Sequence, residues 1–216
     1  MQLQLRPATL SDIPDIVTIG LSAFRTNPMH ARIFPRDLPA SDAFWTSTLT
    51  DEFENNPNTH FLIVEDISPS TTTTSEDQKP TFVGFAKWNL VPANYVYPTP
   101  PKSEIWPADP ALAEHFFGIL FERHEALMGP RRHWYLELIG TREEYHGLGA
   151  GAMMVGWGTA RADEEGVEAY LDSTPAGRRL YEKFGFEGVE MRWFLGGEEE
   201  EEYGECFMIR GARGRE

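Results

Sequence analysis

The segment that most constrains the fold of this chain is a strand, a glycine-rich loop and a helix in residues 136–154. Three glycines, Gly147, Gly149 and Gly151, alternate in the loop, and glycine permits tight turns and close approach of the backbone to a ligand. The start of a helix offers unpaired N–H groups and a positive dipole end to an anion. The segment therefore predicts an anion site, for example for a pyrophosphate, built from backbone amides.

Two common phosphate-binding patterns do not fit this loop. A dinucleotide fold has G-x-G-x-x-G near the first strand, whereas here the spacing is G-x-G-x-G and lies late in the chain. A P-loop requires a lysine after its last glycine, and none follows Gly151. A tight turn whose glycines serve only packing remains the alternative reading of the loop taken alone.

Around this segment, hydrophobic periodicity and turn residues predict a mixed α/β protein of one domain, residues 1–216. The predicted order is β-α-α-β-β-α-β-α-β-α-β-β, with Asn27-Pro28 ending the first helix. Residues 68–80, polar and threonine-rich, predict a mobile loop. The five glutamates Glu198 to Glu202 predict an acidic hairpin loop over residues 196–202.

Charge and cysteine content exclude several classes of protein. The 216 residues carry 34 acidic and 19 basic side chains, a net charge of −15, which disfavours nucleic acid and anionic membranes as partners. The single cysteine, Cys206, lies in an apolar strand and is interpreted as a buried structural thiol. The start of the chain lacks a signal-peptide pattern, so we expect a cytoplasmic protein, with the nucleus left open. Scattered histidines predict no metal site.

The loop resembles the motif Q/R-x-x-G-x-G/A of the GCN5-related N-acetyltransferase (GNAT) superfamily. Gly149 and Gly151 take the glycine places, and His146 stands where the family has Gln or Arg, a departure that keeps a hydrogen-bonding side chain. Residues 6–14 resemble the family's first strand and helix, and residues 176–186 resemble its late A-x-x-L-Y-x-x-x-G-F segment. These matches, in the family's order, span nearly the whole chain. The amino-acid sequence of residues 135–144 and 170–175 is most similar to fungal members of the superfamily.

This resemblance implies a fold and a cofactor site. The fold is a mixed, mostly antiparallel sheet of about seven strands, with a splayed β4/β5 pair and helices on both faces. Acetyl-CoA is the implied co-substrate, with no metal. The residues implied to bind it are Ile139, Gly140 and Thr141 at the pantetheine, His146, Gly147, Leu148, Gly149, Ala150, Gly151 and Ala152 at the pyrophosphate loop, and Ser173 or Thr174 with Tyr181 beyond β5.

The resemblance also implies transfer of the acetyl group to a primary amine by direct attack. Tyr181 matches the family's proton donor, with a buried aromatic residue of purely structural role as its alternative. Glu137 is the candidate base, because strict alternation in the strand turns it away from both Leu136 and Leu138. An exposed or structural carboxylate is the alternative for Glu137.

The sequence leaves the acceptor open: a small molecule or a peptide amine, with the acid surplus favouring a cation. Monomer and homodimer both remain open. The aromatic residues Tyr95, Tyr97 and Trp106 either line an acceptor pocket or pack in the core. Two other functions compete with catalysis: a non-catalytic acyl-CoA-binding regulatory module with the same fold, and an interaction protein that uses the glutamate run.

Overall fold

The computed structural model describes residues 1–68, 80–97, 105–197 and 200–214. The loop predicted over residues 68–80 lies outside the described residues except at its two ends, so its mobility stays a prediction. No helix within the described ranges is long and apolar enough to cross a membrane.

One mixed sheet of seven strands organises the described part of the chain, in the order β1-β2-β3-β4-β5-β7-β6. Neighbouring strands are antiparallel except for β4 and β5, which run parallel. This confirms the predicted fold class. The strands are β1 (Leu3–Pro7), β2 (Thr59–Asp66), β3 (Thr81–Val91), β4 (His133–Thr141), β5 (Glu168–Ser173), β6 (Glu187–Gly197) and β7 (Glu200–Arg210).

The last two strands extend beyond the residues predicted for them, which were 189–195 and 203–210. β6 ends at Gly197 and β7 begins at Glu200, and the two residues between them, Glu198 and Glu199, lie outside the described residues. The predicted acidic loop over residues 196–202 is therefore partly strand backbone.

Six α-helices flank the sheet in the described part of the chain, and one of them was not predicted. Asn27-Pro28 ends the first helix as expected, but it also begins a second, because the Asn27 side chain accepts hydrogen bonds from the amides of Met29 (2.9 Å) and His30 (3.2 Å). Pro28 takes the first helical position, where a missing N–H costs nothing. The helices are α1 (Ile13–Ala23), α2 (Pro28–Ile33), α3 (Pro39–Asn55), α4 (Pro110–Met128), α5 (Ala150–Glu165) and α6 (Arg178–Lys183).

The sheet separates two main hydrophobic cores. On one face α5 packs against the sheet, where the Trp88 indole N–H donates to the carbonyl of Met154 (3.1 Å) and a Cβ at Gly158 would clash with the same indole. On the other face α1, α2, α3 and α4 cover a core rich in aromatic residues. The candidate functional residues described below lie on both sides of the sheet, around β4, β5 and β7.

A β-bulge in β4 changes which way its side chains point. Trp88 of β3 pairs with Leu136 and Lys87 pairs with Leu138, so Glu137 is an extra residue without a partner in β3. Leu136 belongs to the core under α5, whereas Leu138 packs in the opposite core. The predicted alternation is therefore wrong here: Glu137 shares its face with Leu138.

The strands β4 and β5 separate after a short pairing. Their register ends at Leu136 opposite Leu171, while β4 continues to Thr141 in contact with β3 alone. This is the splay that the sequence comparison implied. It leaves one edge of β4 without a neighbouring strand, directly before the glycine loop.

Candidate active site

The free edge of β4 places three of the predicted cofactor residues. Ile139, Gly140 and Thr141 pair with β3 on one side and have no partner in β5 on the other. A Cβ at Gly140 would lie 2.9 Å from the Phe85 ring, so close packing requires glycine at this position. The backbone N–H and C=O groups on the β5 side of this edge are available to a ligand with amide groups.

The glycine loop ends in the start of α5, as predicted. Gly147 and Gly149 have φ angles of +76° and +100°, and a Cβ at either would meet open space, so the backbone conformation and not packing requires glycine. Gly149 is the N-cap of α5, no side chain caps the helix, and its first turn contains no acidic residue. The first amides of α5 are therefore open to an anion. Leu148, between the two glycines, is 47% exposed.

The remaining predicted cofactor residues differ in their surroundings. The Nε2 atom of His146 lies 3.3 Å from the carbonyl oxygen of Thr141, so the ring braces the loop against the end of β4. Ser173 is buried and its hydroxyl donates to the carbonyl of Thr174 (2.9 Å). Thr174 lines the cavity described below. Of the two alternatives at the end of β5, the structure thus turns Thr174 toward open space.

Tyr181 lies on α6, nearly buried at 6% exposure, in the core on the α5 side of the sheet. Its ring packs so closely on Gly177 that a Cβ there would come within 2.8 Å of the ring. Burial raises the pKa of the phenol, and the carboxylates of Glu205 and Asp172 raise it further. The hydroxyl therefore stays protonated at neutral pH, in the form that can donate a proton.

On the opposite face of the sheet lies a cavity of about 300 Å³. Its walls come from β3, β4, β5 and β7, from the helices α2, α3 and α4, and from Phe24 at the end of α1. Tyr95 and Tyr97 line the cavity, which is one of the two alternatives left open by the sequence. Trp106 instead stacks on Phe117, with 4.8 Å between the ring centroids. The other aromatic side chains at the wall are Phe24, Phe116, Phe117, Phe121 and Tyr135.

Two buried carboxyl groups face this cavity near Tyr181. Asp172 accepts hydrogen bonds from the hydroxyls of Tyr170 (2.6 Å) and Tyr135 (2.9 Å), and Glu205 accepts one from Tyr203 (2.6 Å). Burial raises the pKa of Asp172 to about 6 and that of Glu205 to about 7, with mutual repulsion adding to the latter. Both groups therefore change protonation close to neutral pH.

Glu137 lies at the same cavity, within a second charged cluster. Its carboxylate is 2.8 Å from the ammonium of the buried Lys87 and accepts a hydrogen bond from Asn89 (2.5 Å). Lys87 also pairs with Glu52 of α3. Burial opposes the charge on Lys87, but the two carboxylates raise its pKa above the ordinary value. The predicted base is thus held in an ion pair.

Sequence reasoning missed Asp172, Glu205 and Lys87. Each is a charged residue with apolar neighbours in its strand, as in Tyr-Leu-Asp at residues 170–172, Ala-Lys-Trp at residues 86–88 and Glu-Cys-Phe at residues 205–207. A charge in such a strand is costly unless it is paired, and this was the available signal. Cys206, next to Glu205, is buried in the core as predicted.

The described residues contain no group of three or more His, Cys, Asp or Glu side chains arranged to hold a metal ion. The expected absence of a metal stays a prediction.

Comparison with known proteins identifies the family. A model described as the acetyltransferase (GNAT) family matches residues 31–186. No curated protein sequence matches significantly.

Solved structures match over nearly the full length. A histone acetyltransferase HPA2 and related acetyltransferase from Corynebacterium glutamicum is 20% identical, with a TM-score of 0.61 and 99% of this chain and 98% of that chain covered. NAA60 from Arabidopsis thaliana, in complex with a bisubstrate analogue, is 16% identical, with a TM-score of 0.56 and coverage of 96% and 97%.

A phosphinothricin acetyltransferase from Sinorhizobium meliloti, in complex with AcCoA, is 15% identical, with a TM-score of 0.56 and coverage of 98% and 89%. At these identities the likeness concerns the fold. The expected likeness to fungal members stays a prediction, because these three structures come from two bacteria and a plant.

Proposed function

Because this chain belongs to the acetyltransferase (GNAT) family, we propose that it transfers the acetyl group of acetyl-CoA to a primary amine. The observation that carries the proposal is that candidate catalytic groups from both faces of the sheet come close together where β4 and β5 separate. Tyr181 approaches from the α5 side, the carboxyl groups of Asp172 and Glu205 face the cavity on the other side, and all three interact electrostatically.

The donor substrate fits the α5 side. The free edge of β4 at residues 139–141 offers backbone groups to the pantetheine amides, and the first amides of α5 offer donors to the pyrophosphate. Structural relatives support this assignment, because NAA60 from Arabidopsis thaliana and the Sinorhizobium meliloti enzyme were each solved with acetyl-CoA.

The chemistry requires one proton acceptor and one proton donor. A carboxylate at the cavity takes a proton from the acceptor's ammonium group, and the neutral nitrogen attacks the thioester carbonyl carbon. The new C–N bond forms as the C–S bond breaks. Tyr181 donates its hydroxyl proton to the departing sulfur. The nitrogen gives its surplus proton to the Tyr181 oxygen, which leaves a neutral amide and restores the phenol, and the carboxyl group releases the first proton to solvent.

Two carboxylates compete for the role of base. Glu137 is the candidate from the sequence, but its carboxylate is already engaged by the Lys87 ammonium and by a hydrogen bond from Asn89. Glu205 is nine-tenths buried, and its raised pKa of about 7 suits proton transfer at neutral pH. We propose Glu205 as the base and Glu137 as the alternative.

A test combines donor binding with turnover in wild type and Tyr181→Phe. Calorimetry should detect acetyl-CoA binding at sub-millimolar concentration, and thiol release should report acetyl transfer to amines. We expect Tyr181→Phe to lower kcat by on the order of 10²-fold or more with little change in donor affinity. Equal losses in both would indicate a structural role for Tyr181.

The non-catalytic alternative predicts a different outcome of the same test. A regulatory acyl-CoA-binding module would bind acetyl-CoA without transfer to any amine in a broad panel. Absence of both binding and transfer would contradict the proposed function and this alternative together.

A further inference from the structure

The cavity carries more negative charge than acetyl transfer to a simple amine requires. Four carboxyl groups line it, and no arginine or lysine is among the described residues at its wall. The adjoining Lys87 is already bonded to two of these carboxylates. With every group ionised, three negative charges remain uncompensated, a costly arrangement in a cavity that nothing positive enters. The four residues are Glu52, Glu137, Asp172 and Glu205.

These carboxyl groups form two neighbouring clusters, and the charge of Glu137 in one raises the pKa of Asp172 in the other. Asp172 and Glu205 lie on β5 and β7, where their charges act on the Tyr181 phenol. Glu137 and Glu52 lie on β4 and α3, around the buried Lys87. The first cluster is at the point of reaction, and the second is at another part of the same wall. The cavity thus offers two places for positive charge.

Apolar side chains of α4 form much of the remaining wall: Phe116, Phe117, Leu120 and Phe121. Such a surface suits the methylene groups of an alkyl chain, and aromatic faces also attract cations. A volume of about 300 Å³ lies at the small end of ligand-binding pockets. Wall and volume together favour a short, flexible molecule that is apolar between its charges.

A second observation, independent of the acids, also points to a ligand. His30 of α2 lines the cavity, and its buried Nδ1 atom has no hydrogen-bond partner among the described residues. Burial lowers the pKa of this imidazole to about 4, so the ring is neutral at pH 7. A buried polar atom without a partner is unfavourable, and an N–H donor in the cavity would satisfy it once the imidazole ring turns Nδ1 toward the cavity.

Building on the acetyl transfer proposed above, we propose that the acceptor is a small linear alkyl diamine or polyamine. Asp172 and Glu205 hold the amine that is acetylated, and Glu137 and Glu52 hold a second ammonium group. A monoamine would leave the second cluster unbalanced. An amino acid would bring a carboxylate against four others, with no free cation among the described wall residues to receive it.

The test compares acceptors matched in length but different in charge. The probes are 1,4-diaminobutane, n-butylamine, 4-aminobutanoate and a short peptide with a free N-terminus, each assayed for kcat/KM with acetyl-CoA. We expect 1,4-diaminobutane to exceed n-butylamine by at least tenfold, with 4-aminobutanoate the poorest of the three. Equal or better values for n-butylamine, or for the peptide, would overturn the diamine proposal and leave acetyl transfer intact.

Variants locate the preference in the cavity. Glu137→Gln should reduce the ratio of diamine to monoamine kcat/KM, and acetyl-CoA affinity should change little. The ratio is the readout because a loss of proton acceptance at Glu137 would lower the turnover of both amines alike. Glu165→Gln, a matched surface change in an ion pair with Arg132, should leave the ratio unaltered. If Glu137→Gln unfolds, Glu52→Gln tests the same cluster from α3. An unchanged ratio in a variant of Glu137 or Glu52 that still folds contradicts the diamine proposal. If the wild type does not bind acetyl-CoA, the proposed function is contradicted instead.

Discussion

At the scale of single residues, the bulge at Glu137 separates what alternation predicts from what the chain does. Glu137 lines the cavity, but one extra residue in β4 turns Leu138 to the same face and brings Glu137 to Lys87. A register shift depends on the neighbouring strand, so a single strand's pattern does not reveal it. Glu205 was missed for a related reason, since only the folded sheet brings β7 beside Asp172 and Tyr181.

Exchanging each candidate base in turn tests which carboxylate accepts the proton. In wild type, kcat/KM should rise with pH through about 7, because Glu205 accepts a proton only when it is ionised. Glu205→Gln should lower kcat by on the order of 10²-fold and remove that rise, whereas Glu137→Gln should keep it. The titration of the amine substrate is common to all three proteins and cancels in the comparison. The opposite result would return the role of base to Glu137.

At the scale of elements, the strand, loop and helix of residues 136–154 were predictable because glycine spacing and helix-start chemistry act locally. The helix α2 was not predicted, because Asn-Pro ends one helix and begins another with the same two residues. Which of these happens depends on whether the following residues find a core, and Met29 and Ile33 do. Local signals thus locate helix boundaries better than they count helices.

Two glycines at the ends of α5 separate cofactor binding from stability. Gly149 and Gly166 both have positive φ angles, +100° and +65°, and a Cβ at either would meet open space. Alanine at each should therefore cost about 1 kcal/mol of folding free energy. Only Gly149→Ala, at the N-terminus that faces the donor, should weaken acetyl-CoA binding, by about tenfold in calorimetry. Equal affinities for the two variants would mean that the loop does not bind the pyrophosphate.

At the scale of the whole molecule, the net charge of −15 argues against polyanionic partners but conceals how charge is distributed. The backbone amides at the start of α5, which we propose as the pyrophosphate site, are donors that a charge count does not register. The acidic residues that matter for the proposed acceptor come from α3, β4, β5 and β7. Elements so far apart in the chain meet only through the sheet order, which the sequence predicts through family resemblance and not through residue patterns.

Stability should depend on pH through Glu205, whose pKa burial raises from an ordinary 4.5 to about 7. Below pH 4.5 the carboxyl is protonated in both the folded and the unfolded chain. As pH rises to 7, the unfolded chain loses this proton first, so the folded state loses relative stability. Wild type should therefore lose about 3 kcal/mol of unfolding free energy relative to Glu205→Gln over this range, measured by urea denaturation.

Asp163→Asn provides the control for that measurement. The hydrogen bond from Arg210 lowers the pKa of Asp163 below its ordinary value of 3.8, so this group is ionised in both states from pH 4.5 to 7. The difference in unfolding free energy between Asp163→Asn and wild type should stay constant from about pH 4.5 to 7. A constant difference for Glu205→Gln as well would show that its carboxyl is not held protonated by burial.

The short pairing of β4 with β5 joins two parts of the sheet. Only four residue pairs connect the strands β1 to β4 with the strands β5 to β7. A donor bonded to the free edge of β4 would lie where the next strand of a continuous sheet belongs. During each turnover the bound donor would then extend the contact between the two parts of the sheet. The sheet would therefore be more continuous with the donor bound than without it.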